Sequence, residues 1–455
     1  MGAQGEFKVT VVTKEMVAPA LPSQEHWLTL SNLDLLLPPV DVGVFFCYRQ
    51  PALASPRFLR MGSVMSVLKD TLAQALVSYY AFAGEVVLNS VGEPELLCNN
   101  KGVDFTEAQA DVQLKDLNFY DADATIEGKL VPKRKQGVLA VQATELQCGG
   151  LVVACTFDHR IADAYSANMF LVAWAEVAHM VPSSVVPSFR RSLISARRPL
   201  CLDASLDEMY VPVNLLPKEP SPEAEHADPL ISRIYHITAA QLDKLQCLAS
   251  SNRNKRTKLE SFSAFLWKMV ARSAQGSGDN KLISKMGVVV DGRSRLEGDL
   301  SAYFGNVLSI PFGERNTADL VEEPLSTTAD CVHEFLETAV TQEHFLGLID
   351  WVEAHRPVPG LAKIYCRGSE DGPAFVVSSG QRFPVSKVDF GWGRPVFGSY
   401  HFPWGGSAGY VMPMPSPLGN GDWVVYVHLP GKQVEAVEEE AGHVLRPLTP
   451  DYLGL

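Results

Sequence analysis

Several features that mark common classes of protein are missing from this sequence. No apolar run approaches the roughly 18 residues that a membrane-spanning helix needs. The opening MGAQGEFKV holds no apolar stretch of signal-peptide length, and Glu6 stands where N-myristoylation of Gly2 would require Ser or Thr. We therefore expect a cytoplasmic protein that makes no contact with a membrane.

Patterned cysteine and excess positive charge are missing as well. The 8 cysteines are scattered, none forms a C-x-x-C pair, and no Cys/His group has zinc-site spacing. This pattern indicates reduced thiols and no metal site. With 39 Lys and Arg against 52 Asp and Glu, the net charge is -13. Nucleic acid is therefore not expected as a partner, because no sequence-wide positive field attracts phosphates.

Length and composition predict a globular protein of two domains. The 455 residues exceed one ordinary hydrophobic core, and 46% hydrophobic with 20% charged residues exclude general disorder. An irregular, proline-rich segment at about 199–229 separates two halves that each mix strands with helices. We predict an α/β chain with an N-terminal domain at 1–200, a crossover linker at 201–228 and a C-terminal domain at 229–455.

The stretch ACTFDHRIADAYSANMF holds the first candidate site. The apolar run at 149–158 predicts a strand and the pattern at 164–178 predicts a helix, so His159 lies at their junction. A histidine here could be a core residue beside a helix cap formed by Asp158 or Asp163. It could also be a general base, since its unperturbed pKa of about 6.5 suits proton transfer near neutral pH. Asp163 would then orient the ring or brace the loop.

Three further patterns leave alternatives open. Cys155 could form a nucleophilic pair with His159, but its place in an alternating apolar strand favours a small core residue. The basic run SNRNKRTK is either a solvated loop or, because it leads into a helix N-terminus, a site for a phosphate-bearing cofactor. VDFGWGRPVFG combines turn-forming glycines with Phe390 and Trp392, which must be buried or bind something.

Two motifs together resemble a known family. HRIAD, residues 159–163, matches H-x-x-x-D, and DFGWG, residues 389–393, lies about half the chain away. In a chain of this length the pair is similar to the plant BAHD acyl-CoA-dependent acyltransferases, closest in look to the hydroxycinnamoyl and alcohol acyltransferases. LSNLDLLLP, SFSAFLWKMVAR, VVVDGRSR and YFGN are weaker matches, so the resemblance covers nearly the whole chain.

That resemblance implies a fold and a mechanism. Two chloramphenicol-acetyltransferase-like domains with mixed sheets, joined by a long crossover loop, would enclose a channel between them. A segment near 375–405 would cross to the N-terminal domain. Acyl-CoA and the acceptor would enter from opposite faces and meet at His159, the general base of a ternary complex. The resemblance also implies acyl-CoA as co-substrate, no tightly bound cofactor, no metal and a monomer.

The resemblance also assigns supporting residues. Asp163 would pair with Arg293, in DGRSR, and hold the His159 loop in shape without relaying protons. The other candidates support the site, bind CoA, or form the oxyanion and acceptor pocket. The supporting residues would be Asp389, Gly391, Trp392 and Gly393; the CoA-binding residues Lys255, Arg256, Lys258 and Ser261; and the pocket residues Ser378, Ser379, Gly380, Ser31 and Asp34.

Three departures from the family pattern carry expectations of their own. Ala164 follows the first motif where glycine is usual, and should change only the turn. Asp158 stands where many members have histidine, and would raise the pKa of His159 if it faced the ring. Gly380 stands where many hydroxycinnamoyl-transferring members have tryptophan. A nearby serine or backbone N–H would therefore bind the oxyanion, and the acceptor pocket would be wider.

The expected activity is transfer of a hydroxycinnamoyl or acetyl group from CoA to a phenylpropanoid-type alcohol or an amine. The sequence offers no arginine that can be assigned to an acceptor carboxylate, which disfavours an acidic acceptor. The alternative is a non-catalytic BAHD-like accessory or binding protein in lipid or phenylpropanoid metabolism. In such proteins the motifs are often degraded, whereas both are intact here.

Overall fold

The structure is a computed structural model that describes residues 6–50, 63–216, 228–251, 254–274, 282–366, 371–406 and 408–455. Within these ranges, no helix is long and apolar enough to cross a membrane. Strands and helices are mixed in both halves of the chain, as the sequence predicts.

The elements of the N-terminal half are numbered in chain order. Its strands are β1 (Val9–Val17), β2 (His26–Thr29), β3 (Asp41–Tyr48), β4 (Glu85–Leu88), β5 (Pro94–Cys98), β6 (Val103–Ala110), β7 (Leu139–Leu146) and β8 (Leu151–Asp158). Its helices are α1 (Val64–Ser78), α2 (Ala122–Thr125) and α3 (Ala164–Ala178). The predicted linker contains the short helix α4 (Leu206–Met209) and the strand β9 (Tyr210–Pro212).

The C-terminal half continues the numbering. Its strands are β10 (Leu230–Ile237), β11 (Ile283–Val288), β12 (Val290–Asp291), β13 (Leu308–Ser309), β14 (Phe312–Asn316), β15 (Gly360–Ala362), β16 (Asp371–Val377), β17 (Phe397–His401), β18 (Gly409–Pro415), β19 (Trp423–Pro430) and β20 (Arg446–Pro447). Its helices are α5 (Ala239–Ala249), α6 (Lys258–Arg272), α7 (Thr317–Glu322), α8 (Leu325–Ala339), α9 (Gln342–His355) and α10 (Gly431–Ala441).

The first large sheet is mixed and has the order β1-β6-β7-β8-β3-β17. β6 and β7 run parallel, and the other neighbours run antiparallel. Its outer strand β17 comes from the C-terminal half and pairs with β3, with Phe397 opposite Cys47 and His401 opposite Gly43. The two halves of the chain therefore share this sheet.

The second large sheet is also mixed and has the order β14-β11-β16-β18-β19-β10-β20. β11, β16 and β18 are parallel to one another, and the remaining pairs are antiparallel. Smaller pairings join β2, β5 and β4, then β12 with β13, and β15 with β9. The last of these attaches the predicted linker to the C-terminal half.

Local sequence explains where the elements beside the candidate site begin. β8 is a nearly continuous apolar run, which allows the strand to be covered on both faces. All eight of its residues are buried. The side chain of Asp163 accepts a hydrogen bond from the backbone N–H of Ser166 and so caps α3. Thr257 and Glu260 form a reciprocal capping box at the start of α6.

The buried apolar side chains form two clusters. The larger is built on the first sheet, α1 and α3, and includes residues of the C-terminal half such as Tyr303 and Phe390. The smaller packs α5, α6 and α8 on the second sheet. The domain limits 1–200 and 229–455 stay a prediction, and residues 217–227 of the expected linker lie outside the described residues.

Candidate active site

His159 lies on the wall of a cavity of about 390 Å³, a volume suited to a small ligand. Both halves of the chain form this cavity, and its lining is largely apolar and aromatic. The N-terminal half contributes Val42, Phe157 and Asn168, and the C-terminal half contributes Val288, Ser378, Phe402 and Met412. Because the histidine is partly exposed at this wall, molecules in the cavity can reach its imidazole.

The position of His159 follows from the end of β8. The strand stops at Asp158, and the backbone N–H of His159 donates to the carbonyl of Val40, 2.9 Å away. The ring lies edge-on to Phe402, with 6.0 Å between the ring centroids. Burial lowers the pKa of His159, and the opposing effects of its own carbonyl and of nearby Asp163 are smaller. The neutral imidazole, which can accept a proton, is therefore the favoured form near pH 7.

Asp158 does not control the protonation of His159, although it precedes it in the chain. Its buried carboxylate accepts bonds from Arg160, at 2.7 and 2.9 Å, and from Arg134 at 3.1 Å. Two guanidinium groups thus offset its charge, and its effect on His159 is weaker than that of burial. Burial lowers the pKa of His159, and the upward effect expected of Asp158 is present but smaller, so the net direction is downward.

Asp163 forms the expected ion pair with Arg293 and makes no hydrogen bond to His159. Arg293 Nη1 donates to Asp163 Oδ2 at 2.7 Å, and Nη2 donates to Oδ1 at 3.1 Å. The carboxylate also accepts from the backbone N–H groups of Ser166 and Val307. All of its acceptor capacity is used in this way, so Asp163 holds the loop and does not orient the ring.

Arg293 ties the His159 loop to the C-terminal half. Besides Asp163, its guanidinium donates to Ser166 Oγ, to the carbonyls of Tyr303 and Gly305, and to Asp291. Asp163 and Asp291 raise the already high pKa of this arginine, although burial works against them. The group is therefore charged, buried and fully bonded.

Ser31 and Asp34 do not line the cavity, contrary to the expectation for the acceptor pocket. Asp34 is fully buried and accepts bonds from Ser31 Oγ at 2.7 Å and from the backbone N–H of Asn306 at 2.7 Å. Asn306 Nδ2 in turn donates to the carbonyls of His159, at 2.9 Å, and Arg160, at 3.2 Å. Ser31, Asp34 and Asn306 therefore support the His159 loop through buried hydrogen bonds.

Asn306 is one of four residues of this site that the sequence did not reveal. YFGN is visible as a stretch similar to the family, but nothing in the local pattern connects Asn306 with Asp34, which lies 272 residues away in the chain. The same holds for Tyr165, Arg295 and Arg382, which line the cavity. Contacts between residues far apart in the chain produce no periodic pattern in the local sequence, so the sequence alone does not predict them.

Ser378, Ser379 and Gly380 line the cavity, as expected for an oxyanion or acceptor site. Gly380, however, does not widen it. A Cβ atom at this position would lie 2.6 Å from Cγ of Met414 and 2.8 Å from the Pro413 carbonyl oxygen. The glycine therefore permits close packing on β18, and the expected extra space is filled by that strand.

The expected CoA-binding residues lie around the start of α6. The guanidinium of Arg256 is buried against Asp330, Ser261 Oγ donates to the Thr257 carbonyl at 2.7 Å, and Lys258 pairs with Asp243 at 2.7 Å. Internal partners thus occupy three of the four, and Lys255 is exposed. The neighbouring Leu259 lines the cavity, so the helix start adjoins it.

The DFGWG segment lies outside the cavity lining and is built into the core. Asp389 Oδ1 accepts from the backbone N–H groups of Gly391 at 2.8 Å and Gly393 at 3.0 Å, and both glycines have positive φ. The Trp392 ring packs beside Tyr48, with 6.0 Å between centroids. Phe390 packs on Trp174 of α3. These contacts agree with a supporting role.

Cys155 is a core residue, and the Cys–His alternative is wrong. It is buried in β8, and burial raises the pKa of its thiol to about 12, which strongly favours the unreactive thiol near pH 7. Within the described ranges, no group of three or more His, Cys, Asp or Glu side chains is arranged to hold a metal ion.

Comparison with known proteins decides the family. The Transferase family, which comprises the BAHD acyltransferases, matches residues 7–444. The chain is a BAHD acyltransferase. It is 30% identical to hydroxycinnamoyltransferase of Narcissus pseudonarcissus over 441 residues, which span 92% of this chain and 96% of that one. The resemblance drawn from the two motifs is confirmed.

Solved structures confirm the fold of this BAHD acyltransferase. Vinorine synthase matches 97% of this chain and 99% of its own, with a TM-score of 0.70 and 20% identity. TRI101 of F. sporotrichioides, complexed with coenzyme A and T-2, matches 92% of this chain and 99% of its own, with a TM-score of 0.73 and 16% identity. The predicted pair of chloramphenicol-acetyltransferase-like domains with mixed sheets is therefore correct.

Proposed function

We propose that this acyltransferase moves an acyl group from acyl-CoA to a small alcohol or amine, with His159 as general base. The observation that carries the proposal is the position of the His159 imidazole on the wall of a cavity that both halves form. A base there is within reach of a bound acceptor, and its lowered pKa keeps it unprotonated near neutral pH.

The chemistry would proceed through a ternary complex. His159 takes the proton from the acceptor O–H or N–H, and the oxygen or nitrogen attacks the thioester carbonyl carbon. The resulting tetrahedral oxyanion collapses, the C–S bond breaks, and the imidazolium returns its proton to the CoA thiolate. Because Nδ1 of His159 is buried, Nε2 is the nitrogen that would exchange this proton. Ser378 and Ser379 are candidates to stabilise the oxyanion.

The named relatives support the donor class. The solved complex of TRI101 contains coenzyme A, and the Narcissus relative is named a hydroxycinnamoyltransferase. The cavity adds a chemical reason, because Tyr165, Tyr400, Phe402, Trp404 and Tyr410 line it. Aromatic walls favour an aromatic acyl group or acceptor through offset or edge-to-face contacts. We propose a hydroxycinnamoyl donor first and an acetyl donor second.

The structure also supports an acceptor that carries a carboxylate, which the sequence disfavoured. Arg295 and Arg382 both line the cavity. The Arg382 side chain is 67% exposed, lies 3.5 Å from Asp291 and packs over the Tyr165 ring at 5.5 Å. An exposed guanidinium on the lining can form a bidentate pair with a carboxylate. Acidic and neutral acceptors therefore both belong in the assay panel.

The test is CoA release by wild type and His159→Ala with p-coumaroyl-CoA and acetyl-CoA over alcohols, amines and acidic acceptors. We expect wild-type turnover with at least one pair and a loss of about 10²- to 10⁴-fold in His159→Ala. His443→Ala is a matched control, since His443 is exposed and outside the cavity lining. Equal rates in wild type and His159→Ala would exclude the general base. No turnover of any pair by wild type would favour the accessory-protein alternative.

A further inference from the structure

Aromatic side chains form a continuous part of the cavity wall that starts beside His159. Phe402 lies edge-on to the imidazole at 6.0 Å between centroids, and the Trp404 ring lies nearly parallel to that of Phe402, at 6.3 Å and 6°. Tyr365 makes an edge-to-face contact with Trp404 at 4.6 Å, and Tyr410 makes one with Phe402 at 4.8 Å. All four aromatic residues line the cavity, and we call them the aromatic surface.

The indole of Trp404 is held in one position. It lies directly over Gly406, where a Cβ atom would be 1.9 Å from Cη2 of the indole and 2.1 Å from Cζ3. The indole Nε1 donates to the Ala408 carbonyl at 3.0 Å. The Trp404 carbonyl accepts from Nε2 of the buried His428 at 3.2 Å. Both the ring and the backbone are therefore fixed, and a flat face that is already ordered loses little entropy when a ligand packs on it.

A second group of lining residues is polar and charged. Arg382 packs over the Tyr165 ring at 5.5 Å and lies 3.5 Å from Asp291, and Asn168 Nδ2 donates to the Arg382 carbonyl at 3.4 Å. A carboxylate gains most from a guanidinium, whereas a planar apolar group gains most from aromatic rings. The polar group therefore suits the acceptor, and the aromatic surface is left for the acyl group.

We propose that Trp404 is a specificity-determining residue: the aromatic ring of a hydroxycinnamoyl group packs on its indole while the thioester carbonyl is at His159. The inference rests on the proposed function. An acetyl group has only one methyl beyond its carbonyl, so it ends near Phe402 and does not reach Trp404. A hydroxycinnamoyl group is planar and carries its ring two carbons beyond the carbonyl, where an aromatic contact stabilises it. Gly406 belongs to the same arrangement, because a larger residue would displace the indole.

The direct test is isothermal titration calorimetry of the full chain with p-coumaroyl-CoA and with acetyl-CoA, without acceptor, which requires no turnover. We expect wild type to bind p-coumaroyl-CoA about tenfold or more tightly than acetyl-CoA. Trp404→Leu should lose most of this difference and keep the wild-type affinity for acetyl-CoA, which also shows that the variant is folded. Equal affinities of wild type for the two thioesters, or a wild-type ratio in Trp404→Leu, would overturn the inference.

Two adjacent glycines allow a second test that keeps the tryptophan. Gly405 and Gly406 both have φ outside the left-handed region, so the backbone accepts alanine at either position. Gly406→Ala would push the indole aside, whereas Gly405→Ala meets open space and is the matched control. We expect only Gly406→Ala to weaken binding of p-coumaroyl-CoA, with acetyl-CoA bound as in wild type. If both alanine variants bind p-coumaroyl-CoA alike, the position of the indole has no effect and the inference is wrong.

Initial rates show whether the ring on Trp404 belongs to the donor or to the acceptor. Trp404→Leu should lower kcat/KM for p-coumaroyl-CoA about tenfold and leave kcat/KM for acetyl-CoA near that of wild type. With acetyl-CoA as donor, the preference for an aromatic over an aliphatic alcohol should be unchanged. Loss of that acceptor preference would place the acceptor on Trp404 and overturn the inference. If His159→Ala stays active while the calorimetry is as expected, the proposed function fails and the Trp404 contact stands.

Discussion

Removal of the Asp163 carboxylate would show how the site is held together. The side chains of Arg293 and Asp163 are 3% and 1% exposed. This burial decides how much stability the loss of the ion pair should cost. An exposed ion pair contributes about 0–1 kcal/mol, whereas truncating one partner of a buried pair costs about 3–5 kcal/mol, because the other charge is left unpaired. The lost cap of α3 adds about 1 kcal/mol. Asp163→Ala should therefore lower the free energy of unfolding by about 4–6 kcal/mol.

Denaturant unfolding followed by tryptophan fluorescence would measure this loss, with thermal unfolding as a second readout. Asp243→Ala is the matched control, since Asp243 pairs with Lys258 at 2.7 Å but the side chains are 65% and 36% exposed. We expect it to cost less than about 1 kcal/mol. The double variant Asp163→Ala/Arg293→Met should recover part of the loss, because it removes the uncompensated charge.

Two results would refute this reasoning. If Asp163→Ala cost no more than the Asp243→Ala control, the pair would behave as an exposed one and would not hold the loop. If the variant were stable but its acid limb moved sharply to lower pH, Asp163 would act electrostatically on His159, as in a direct relay. Reduced kcat with a small shift of the acid limb to lower pH is the expected outcome, because Asp163 raises the pKa of His159 by less than burial lowers it.

Three further predictions follow from the cavity. Because burial lowers the His159 pKa and the base must be neutral, the rate should fall as the pH falls through a midpoint below 6.5, and a midpoint above 6.5 would contradict this. Gly380→Ala should cost about 1–3 kcal/mol of unfolding free energy through contact with Met414 and Pro413, whereas Gly405→Ala, with open space around it, should not. Arg382→Gln should raise KM about tenfold or more for an acceptor with a carboxylate and leave KM for a neutral alcohol unchanged; equal effects on both would refute a carboxylate contact.

Elements built from local patterns could be predicted well from the sequence. The apolar run at 149–158 contains β8, and the helix predicted at 164–178 is α3, Ala164–Ala178. His159 does lie where a strand leads into a helix, because the run ends at a charged residue and the next acid caps α3. The ion pair of Asp163 with Arg293 came from the family resemblance, since no local pattern joins residues 130 positions apart.

The errors share one physical origin, which is that a polar residue's partner is set by the fold. Asp34 was expected in a pocket, but its bond to Asn306 makes it a buried support. Arg256 was expected at a phosphate, but Asp330 of α8 lies beside it. Gly380 was expected to open space, yet the neighbouring strand fills it. In each case the sequence singled out the residue, but its role depends on a contact with a residue that is distant in the chain.

The geometry of the base depends on both halves of the chain. Val40 holds the backbone N–H of His159, whereas the C-terminal half holds its carbonyl through Asn306 and its loop through Arg293. The segment 291–307 therefore sets the angle at which the imidazole meets a substrate, although most of it does not line the cavity. Since proton transfer depends on small changes of angle and distance, changes in this segment should alter kcat more than KM. The chain shares both motifs with its family. The segment 291–307 connects His159, in the first motif, to the C-terminal half, which carries the second motif.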